Sequence, residues 1–472
     1  MLQQSIFRES SRDALTKVIV VAITQSQDIQ ELISSITDAL HKEHLTTVAR
    51  QINLLKPAQL LKIFERLSHQ RRAIVYRLLD KDLALRVFEG LSPVLQSDLV
   101  HALQEHDTTD LFNELAPDDR VWLLDELPAT VASRLLRGLD DDEREETSTL
   151  LGYPADSIGR RMSPQFVTLR PWHTAAEGLD RVQRRLDTVE SVYYLPVIDS
   201  GRRVVGAVSL RQLLGADDAQ LVETLMEPTM TAEVSEDEEV VARRTARRGQ
   251  FAVSIVDHEE RLVGVFTLDD AVRILEFEES EDVSRQGGVE PLRRPYLSTP
   301  VSRLVRSRFT WLLVLAIGAT LTVQVMAVFE ETLEAVSVLA LFVPLLIGIG
   351  GNTGNQAATT VTRALALDDI QPRDILRVFT RELRTGFMLG VALGALGFLI
   401  AWAFFALNVG VVIGLTLLAI CTVAACVGGV MPTIASAIRV DPAVFSNPFI
   451  STFVDATGLI IYFVIARAIL QI

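Results

Sequence analysis

From Phe309 to Ile472 the chain has seven Arg, no Lys, no His and only nine Asp or Glu. A stretch so poor in charge over the last third of a 472-residue chain has to be buried in a bilayer rather than dissolved in water. A membrane-crossing helix needs about 20 apolar residues to span a hydrocarbon core of about 30 Å. Five stretches meet that requirement, near 309–329, 333–350, 385–406, 411–437 and 445–470. Cytoplasmic loops carry the excess of Lys and Arg. Arg303, Arg306 and Arg308 precede the first stretch, while Glu330, Glu331 and Glu334 follow it. Arg363, Arg373, Arg377, Arg381 and Arg384 lie between the second and third. The pattern predicts a multi-pass protein of the cell (inner) membrane, with its N-terminal part in the cytoplasm and its C-terminus outside.

The first 308 residues hold most of the charge and −13 of the net −15. Their acidic balance argues against nucleic acid as a partner, since phosphate binding needs a basic surface. The only cysteines, Cys421 and Cys426, lie in an apolar run, so neither a disulfide framework nor a thiolate metal site is expected. The seven histidines form no ligand cluster. The first residues, MLQQSIFRESSRD, lack the basic flank and apolar core of a cleaved signal. No nucleophile–base constellation and no phosphate-binding P-loop is present, so the chain reads as a non-enzyme.

Two features stand out within the apolar part. Asp455, in Ser451-Thr-Phe-Val-Asp-Ala-Thr-Gly458, lies well inside the fifth stretch. A carboxylate at that depth costs a few kcal/mol or more and marks an ion pathway by default. The alternative is an interfacial aspartate, or a protonated one hydrogen-bonded between helices. The segment Pro344 to Gln356 carries Gly348, Gly350, Gly351 and Gly354 with Asn352, Asn355 and Gln356. Those glycines permit either a break in the helix or close approach of neighbours, and the amides suit a hydrated cation. Gly386, Gly390 and Gly394 repeat every four residues and read as a packing stripe.

In the soluble part a motif occurs twice. Met162-Ser-Pro164 recurs as Met226-Glu-Pro228. Tyr193-Tyr-Leu-Pro-Val-Ile-Asp199 followed by Val205-Gly-Ala-Val-Ser-Leu210 recurs as Phe251-Ala-Val-Ser-Ile-Val-Asp257 followed by Val263-Gly-Val-Phe-Thr-Leu268. Such self-similarity signals a duplicated unit, here strand–strand–helix. It resembles a CBS-domain pair, with copies over 151–220 and 221–280. The resemblance implies ATP at the pair, for which Thr267 and Asp270 keep the ribose-binding pattern, while the first copy has Ser209 with Gln212. Residues 1–150 read as short amphipathic helices forming an α-helical superhelix. Asp118-Asp119 and Asp140-Asp141-Asp142 stand at helix starts, where the helix dipole also favours acidic residues. Glu276, Glu278, Glu279, Glu281 and Asp282 form an acidic run whose oxygens suit magnesium or calcium; a solvated helix face is the alternative. Residues 281–308 are expected to form a connecting helix, with 309–472 the membrane part.

The whole arrangement resembles the MgtE family of magnesium channels and transporters. Its most specific parts are Pro344 through Gln356, Asp441-Pro442, and Ser446-Asn447-Pro448 followed by Asp455 and Gly458. The resemblance implies a multi-domain membrane protein with a helical N domain, an α/β CBS-domain pair, a connecting helix and an all-α five-helix membrane domain. It further implies a homodimer in a lipid bilayer, with magnesium held at Asp455 and the pore lined by Asn355, Asn447 and Ser451. Magnesium dehydrates reluctantly, so two symmetry-related Asp455 carboxylates would face a hydrated ion. Carboxylates attract cations generally, which leaves cobalt, manganese and zinc open as cargo; a membrane sensor without ion flux is the rival from another class. Family members close when magnesium bridges acidic residues, here Asp118, Asp119, Asp270, Glu278, Glu281 and Asp282. Positions where the family bridge uses carboxylates appear as Arg86, Trp122, Gln250 and Arg273. Fixed contacts from Arg86 or Arg273 to an aspartate are expected to replace part of that bridge, unless these are ordinary surface arginines.

Overall fold

In the computed structural model, residues 32–36, 38–40, 45–103, 105–186, 188–292, 294–367, 369–438 and 447–471 are described. Asp441, Pro442 and Ser446 lie outside them, as does most of the first 44 residues; for Asn447 only the backbone is described. The chain divides into two compact units. One is Met1–Phe277 with Arg293–Thr299, the other Glu278–Leu292 with Pro300–Ile472.

The first unit opens with a run of short helices. Those starting at Pro57, His69, Lys81, Pro93, Glu105, Pro117, Ala129 and Asp141 each begin twelve residues after the previous one. The period has a physical basis in the carbonyls that a helix C-terminus leaves unpaired. Arg72 Nε donates to Phe64 O at 2.9 Å, Gln96 Nε2 to Phe88 O at 2.8 Å and Arg120 Nε to Phe112 O at 3.0 Å. In each case the fourth residue of one helix ties off the end of the helix before it. The apolar faces meet in one core that includes Phe64, Val87, Phe88, Leu95, Phe112 and Leu123. Asp140 is a cap, accepting from Glu143 N at 2.9 Å.

The duplicated region has the expected strands. β1 (Tyr194–Ile198) pairs antiparallel with β2 (Val204–Ser209), and β4 (Ala252–Val256) with β5 (Leu262–Thr267), while β3 (Thr231–Glu233) runs parallel to β4. The repeated Met-x-Pro motif explains itself here, because the copies exchange it. Ser163 bridges to Val265 on β5, and Glu227 bridges to Ala207 on β2. A side chain at Gly264 would collide with Met162, and one at Gly206 would stand 2.8 Å from Glu227 O and 3.5 Å from Met226. Each glycine of the Val-Gly pair is therefore a seat for the other copy's motif.

The expected connecting helix over 281–308 is not one helix. The last helix of the second copy, Leu268–Gln286, runs on past 280 and stops at Gly287-Gly288. Gly288 has φ 64, and Val289 N donates back to Ser284 O at 3.0 Å, a Schellman end. Pro291, Pro295 and Pro300 then keep the chain out of an α-helix until Val301, with only a short 3₁₀ turn at Tyr296–Ser298. Within the first unit, Arg294 Nη2 donates to Asp98 Oδ1 at 2.7 Å, and Asp98 also faces the buried Arg72 at 3.6 Å.

Five helices of the second unit are long and apolar enough to cross a membrane: Val301–Val328, Val338–Ala366, Pro372–Phe404, Leu407–Ala437 and Pro448–Leu470. The first starts about two turns and the third more than three turns before the expected stretches, taking in Arg303, Arg306, Arg377, Arg381 and Arg384. The second remains helical through Pro344 to Gln356, so its glycines serve close approach and not a break. A Cβ on Gly350 would lie 2.7 Å from Ile420 Cγ2. The stripe on the third helix packs backbone against backbone: a Cβ on Gly386 or Gly390 would lie 2.7 Å from Cys421 O or Leu418 O on the fourth.

Candidate ion pathway and candidate metal centre

The second and fifth apolar helices run antiparallel where they meet. Asn355 Nδ2 donates to Ser451 Oγ at 3.0 Å, and the hydroxyl lies 3.3 Å from Asn355 Oδ1. One turn away along both helices, Gly351 faces Asp455. At about 1.5 Å per residue, Asp455 sits about 12 Å from the helix start at Asn447. Asn355, Ser451 and Asp455 are thus brought together. Asp455 is half-buried and has no hydrogen-bond or ion-pair partner among the described residues. The one arginine on the same helix, Arg467, is three turns further on, donating to Thr332 Oγ1 at 2.8 Å and lying 4.8 Å from the Phe329 ring centroid. It leaves Asp455 uncompensated.

A second carboxylate cluster lies in the first unit. Oxygens of Asp118, Glu190 and Asp270 lie within 4.8 Å of one another. Asp118 and Asp270 occupy the first turns of the helices Pro117–Glu126 and Leu268–Gln286, and both are buried, at 3% and 5% exposure. Asp118 Oδ1 has no hydrogen-bond partner. Asp270 Oδ2 accepts from Thr267 Oγ1 at 2.8 Å. Burial, then the facing Asp270 and Glu190, pushes the Asp118 carboxyl well above the usual range. Burial with Asp270 and Asp119 nearby pushes Glu190 up to about 7, and burial pushes Asp270 up to about 6 against the pull of Arg273. Three crowded oxygen donors with an orphaned buried atom fit a hard divalent cation.

Raised carboxyl values make this cluster pH-sensitive. With folded values above the unfolded carboxylate range of about 4, its contribution is complete below that range and is lost as pH rises through about 6 to 7. Metal-free protein in detergent is expected to melt at a lower temperature at about pH 8 than at about pH 5. Millimolar magnesium should raise the melting temperature more at the alkaline end, because metal and protons compete for the same oxygens. A larger magnesium effect in acid would contradict a metal site here.

The contact predicted for Arg273 is present: its Nη1 donates to Asp119 Oδ1 at 3.1 Å and lies 3.7 Å from Asp270 Oδ1. Burial lowers the Arg273 value, but Asp270 and Asp119 more than offset this and hold it charged. Arg86 is exposed and makes no ion pair among the described residues. Trp122 lies flat against Arg161, 3.7 Å from guanidinium to ring centroid. Arg161 in turn donates to Asp125 at 3.0 Å and to Glu238 at 2.6 Å, and Arg160 also pairs with Asp125. These fixed pairs between helix Pro117–Glu126 and the CBS-like pair were not foreseen, nor was Glu190. Glu278, Glu281 and Asp282 are half-buried on one face of helix Leu268–Gln286, with Glu281 paired to Arg285. They belong to the second unit.

The first copy's Ser209 and Gln212 line a cavity, while Thr267 and Asp270 lie at the carboxylate cluster. A cavity of about 740 Å³ is lined by Tyr193, Ser209, Gln212, Glu227, Gln250 and Phe251 among others, and Thr267 and Asp270 are not in its lining. Asp270 belongs to the carboxylate cluster instead. Gln212 is engaged with Glu227 at 3.0 Å, and the Tyr193 and Phe251 rings stand 6.5 Å apart.

Comparison with known proteins agrees with this layout. The family model for MgtE, a divalent cation transporter, matches residues 343–465, and that for the MgtE intracellular N domain matches 55–156. The magnesium transporter MgtE of Thermus thermophilus is 35% identical over 453 residues, covering 94% of this chain and 99% of that protein. The magnesium transporter MgtE of Bacillus subtilis is 28% identical over 452 residues, covering 95% and 100%. Among solved structures, the cytosolic domain of the Mg2+ channel MgtE in complex with ATP matches with a TM-score of 0.48 and 30% identity, over 51% of this chain and 99% of that one. With an unpaired, half-buried carboxylate among the described residues of its apolar helices, a match to the MgtE intracellular N domain and relatives matched over almost their whole length, the chain belongs to the MgtE family of divalent cation transporters.

Proposed function

We propose that this protein carries magnesium across the cell membrane as a homodimer, with Asp455 of each subunit facing the ion. The observation that carries the reading is the uncompensated Asp455 carboxylate, set one turn from the Asn355–Ser451 pair inside the family-matched segment. A carboxylate with no partner among the described residues is stabilised by a passing cation, and two of them match the charge of one divalent ion. The backbone of Asn447 begins the same helix, which supports its place at the cytoplasmic entrance. Asp118, Glu190 and Asp270 would hold a regulatory divalent ion, with Asp119 as a further oxygen donor in the first unit, while Glu278, Glu281 and Asp282 would offer oxygens on the second. An adenine nucleotide such as ATP would occupy the cavity at Ser209 and Gln212, between the two aromatic rings.

The reading is tested by reconstituting the whole chain in proteoliposomes and following magnesium entry with an internal indicator. Fast entry down a gradient is expected, with cobalt and manganese competing only weakly. Strong competition would make it a broader divalent cation transporter. No entry at low magnesium on the cytoplasmic side would overturn transport in favour of a sensor.

A further inference from the structure

Three glycines on helix Val338–Ala366 face different neighbours. A Cβ on Gly350 would stand 2.7 Å from Ile420 Cγ2, and one on Gly354 would stand 2.8 Å from Ile450 Cγ2. Those two positions are glycine because adjacent helices leave no room. Gly351 is different. Its nearest neighbours would be Asp455 Oδ1 at 3.6 Å and Ser451 Oγ at 3.7 Å, ordinary contact distances that an alanine tolerates. Packing therefore does not require glycine there, although the residue is buried. The three atoms nearest the space left by the missing methyl are these two polar groups of the candidate pathway and the Ser451 Cβ at 3.9 Å.

We propose that Gly351 is a specificity-determining residue for ion passage, its bare backbone leaving the Asp455 carboxylate room for a divalent cation that keeps its water shell. The inference rests on Asp455 lying on the ion's path. An ion that meets the carboxylate directly needs little space beside it. An ion that meets it through its own water needs a further molecular layer, about 30 Å³ for each water. A methyl group 3.6 Å from Oδ1 would stand where such a water bonds to the carboxylate. Magnesium gives up its water reluctantly. Manganese shares the preference for oxygen ligands and releases water more readily, so it can approach the narrowed carboxylate with fewer waters.

The experiment compares Gly351→Ala with the unaltered chain in proteoliposomes, measuring magnesium and manganese entry in the same preparation. Magnesium entry is expected to fall about tenfold, equivalent to about 1.4 kcal/mol, and manganese entry by much less, so that the ratio of the two shifts toward manganese. The manganese arm also reports whether the variant has assembled. An equal loss of both fluxes, whether or not the melting temperature drops, would make Gly351 a packing residue and overturn the proposal. Unchanged fluxes would overturn it as well. Asp455→Ala, run in parallel, separates the two levels. If it leaves magnesium entry intact, the pathway itself is misplaced; if it abolishes entry while Gly351→Ala leaves the ratio alone, only the role of Gly351 fails.

Discussion

Asp455→Ala is expected to reduce magnesium entry into proteoliposomes by about 100-fold or more. At about 4 Å and an effective dielectric of about 20, one carboxylate and one unit of positive charge attract by about 4 kcal/mol. A hydrated divalent ion sits further out but carries twice the charge. Loss of about 3 kcal/mol of that attraction corresponds to about two powers of ten. Among the described residues no basic group pairs with Asp455 and no other carboxylate stands beside it, so none of them replaces its charge when it is removed. Asp455→Asn separates charge from shape: it keeps the volume beside Gly351 and should lose almost as much flux as alanine. Retained flux in the asparagine variant would mean that the site acts through hydrogen bonding, and retained flux in both would move the pathway elsewhere.

The second large effect is expected at Arg273. Its guanidinium joins Asp119 of the helical domain to Asp270 of the CBS-like pair, and Asp118 and Glu190 stand close by. A fixed cation in that position does part of what a bound metal would do, but it does not respond to magnesium concentration. The unaltered protein should therefore show shallow inhibition by cytoplasmic magnesium, with entry at scarce internal magnesium still fast but already below its full rate. Removing the guanidinium in Arg273→Ala leaves four carboxylates with no fixed counter-charge. Flux at low internal magnesium should then rise, and inhibition should steepen, with a midpoint moved by about tenfold. A half-exposed ion pair alone is worth only about 1 kcal/mol; the rest of the shift comes from carboxylates left to repel one another. Measuring entry at a series of internal magnesium concentrations decides the matter. Steep inhibition in the unaltered protein that survives Arg273→Ala unchanged would show that the arginine is a bystander.

What could be read from the residues alone followed from how rare each signal is in its surroundings. Asp455 was conspicuous because a charge in an apolar run has few innocent explanations. Asn355 and Ser451 came with it through the family resemblance, and the structure pairs them. Glu190 was not conspicuous. It lies in a polar stretch between Asp187 and Tyr193, and only the fold carries it to Asp118 and Asp270. The connecting helix was overextended because the arginines before the first apolar helix drew attention away from the punctuation of Gly287-Gly288, Pro291, Pro295 and Pro300. The twelve-residue period was visible in part, as Leu91-Ser-Pro93 and Leu115-Ala-Pro117, but five of the eight helix starts lack the proline. The Thr267–Asp270 pattern carries a second meaning, since a Ser/Thr three residues before a carboxylate also describes a hydroxyl bonded to that carboxylate at a helix start.

The mutual seating of Met162 on Gly264 and of the Met226 motif on Gly206 has a mechanical consequence. Two domains joined only by a linker can tilt independently, and a signal received by one is lost at the hinge. Here each copy finishes the other's sheet edge, as two hands finish a clasp, so neither half is whole by itself. The pair must turn as a single plate. A push delivered by the helical domain at Asp119 and Arg273 would then meet no hinge on its way to Ser209 and Gln212, and a ligand wedged into that cavity would load the same plate.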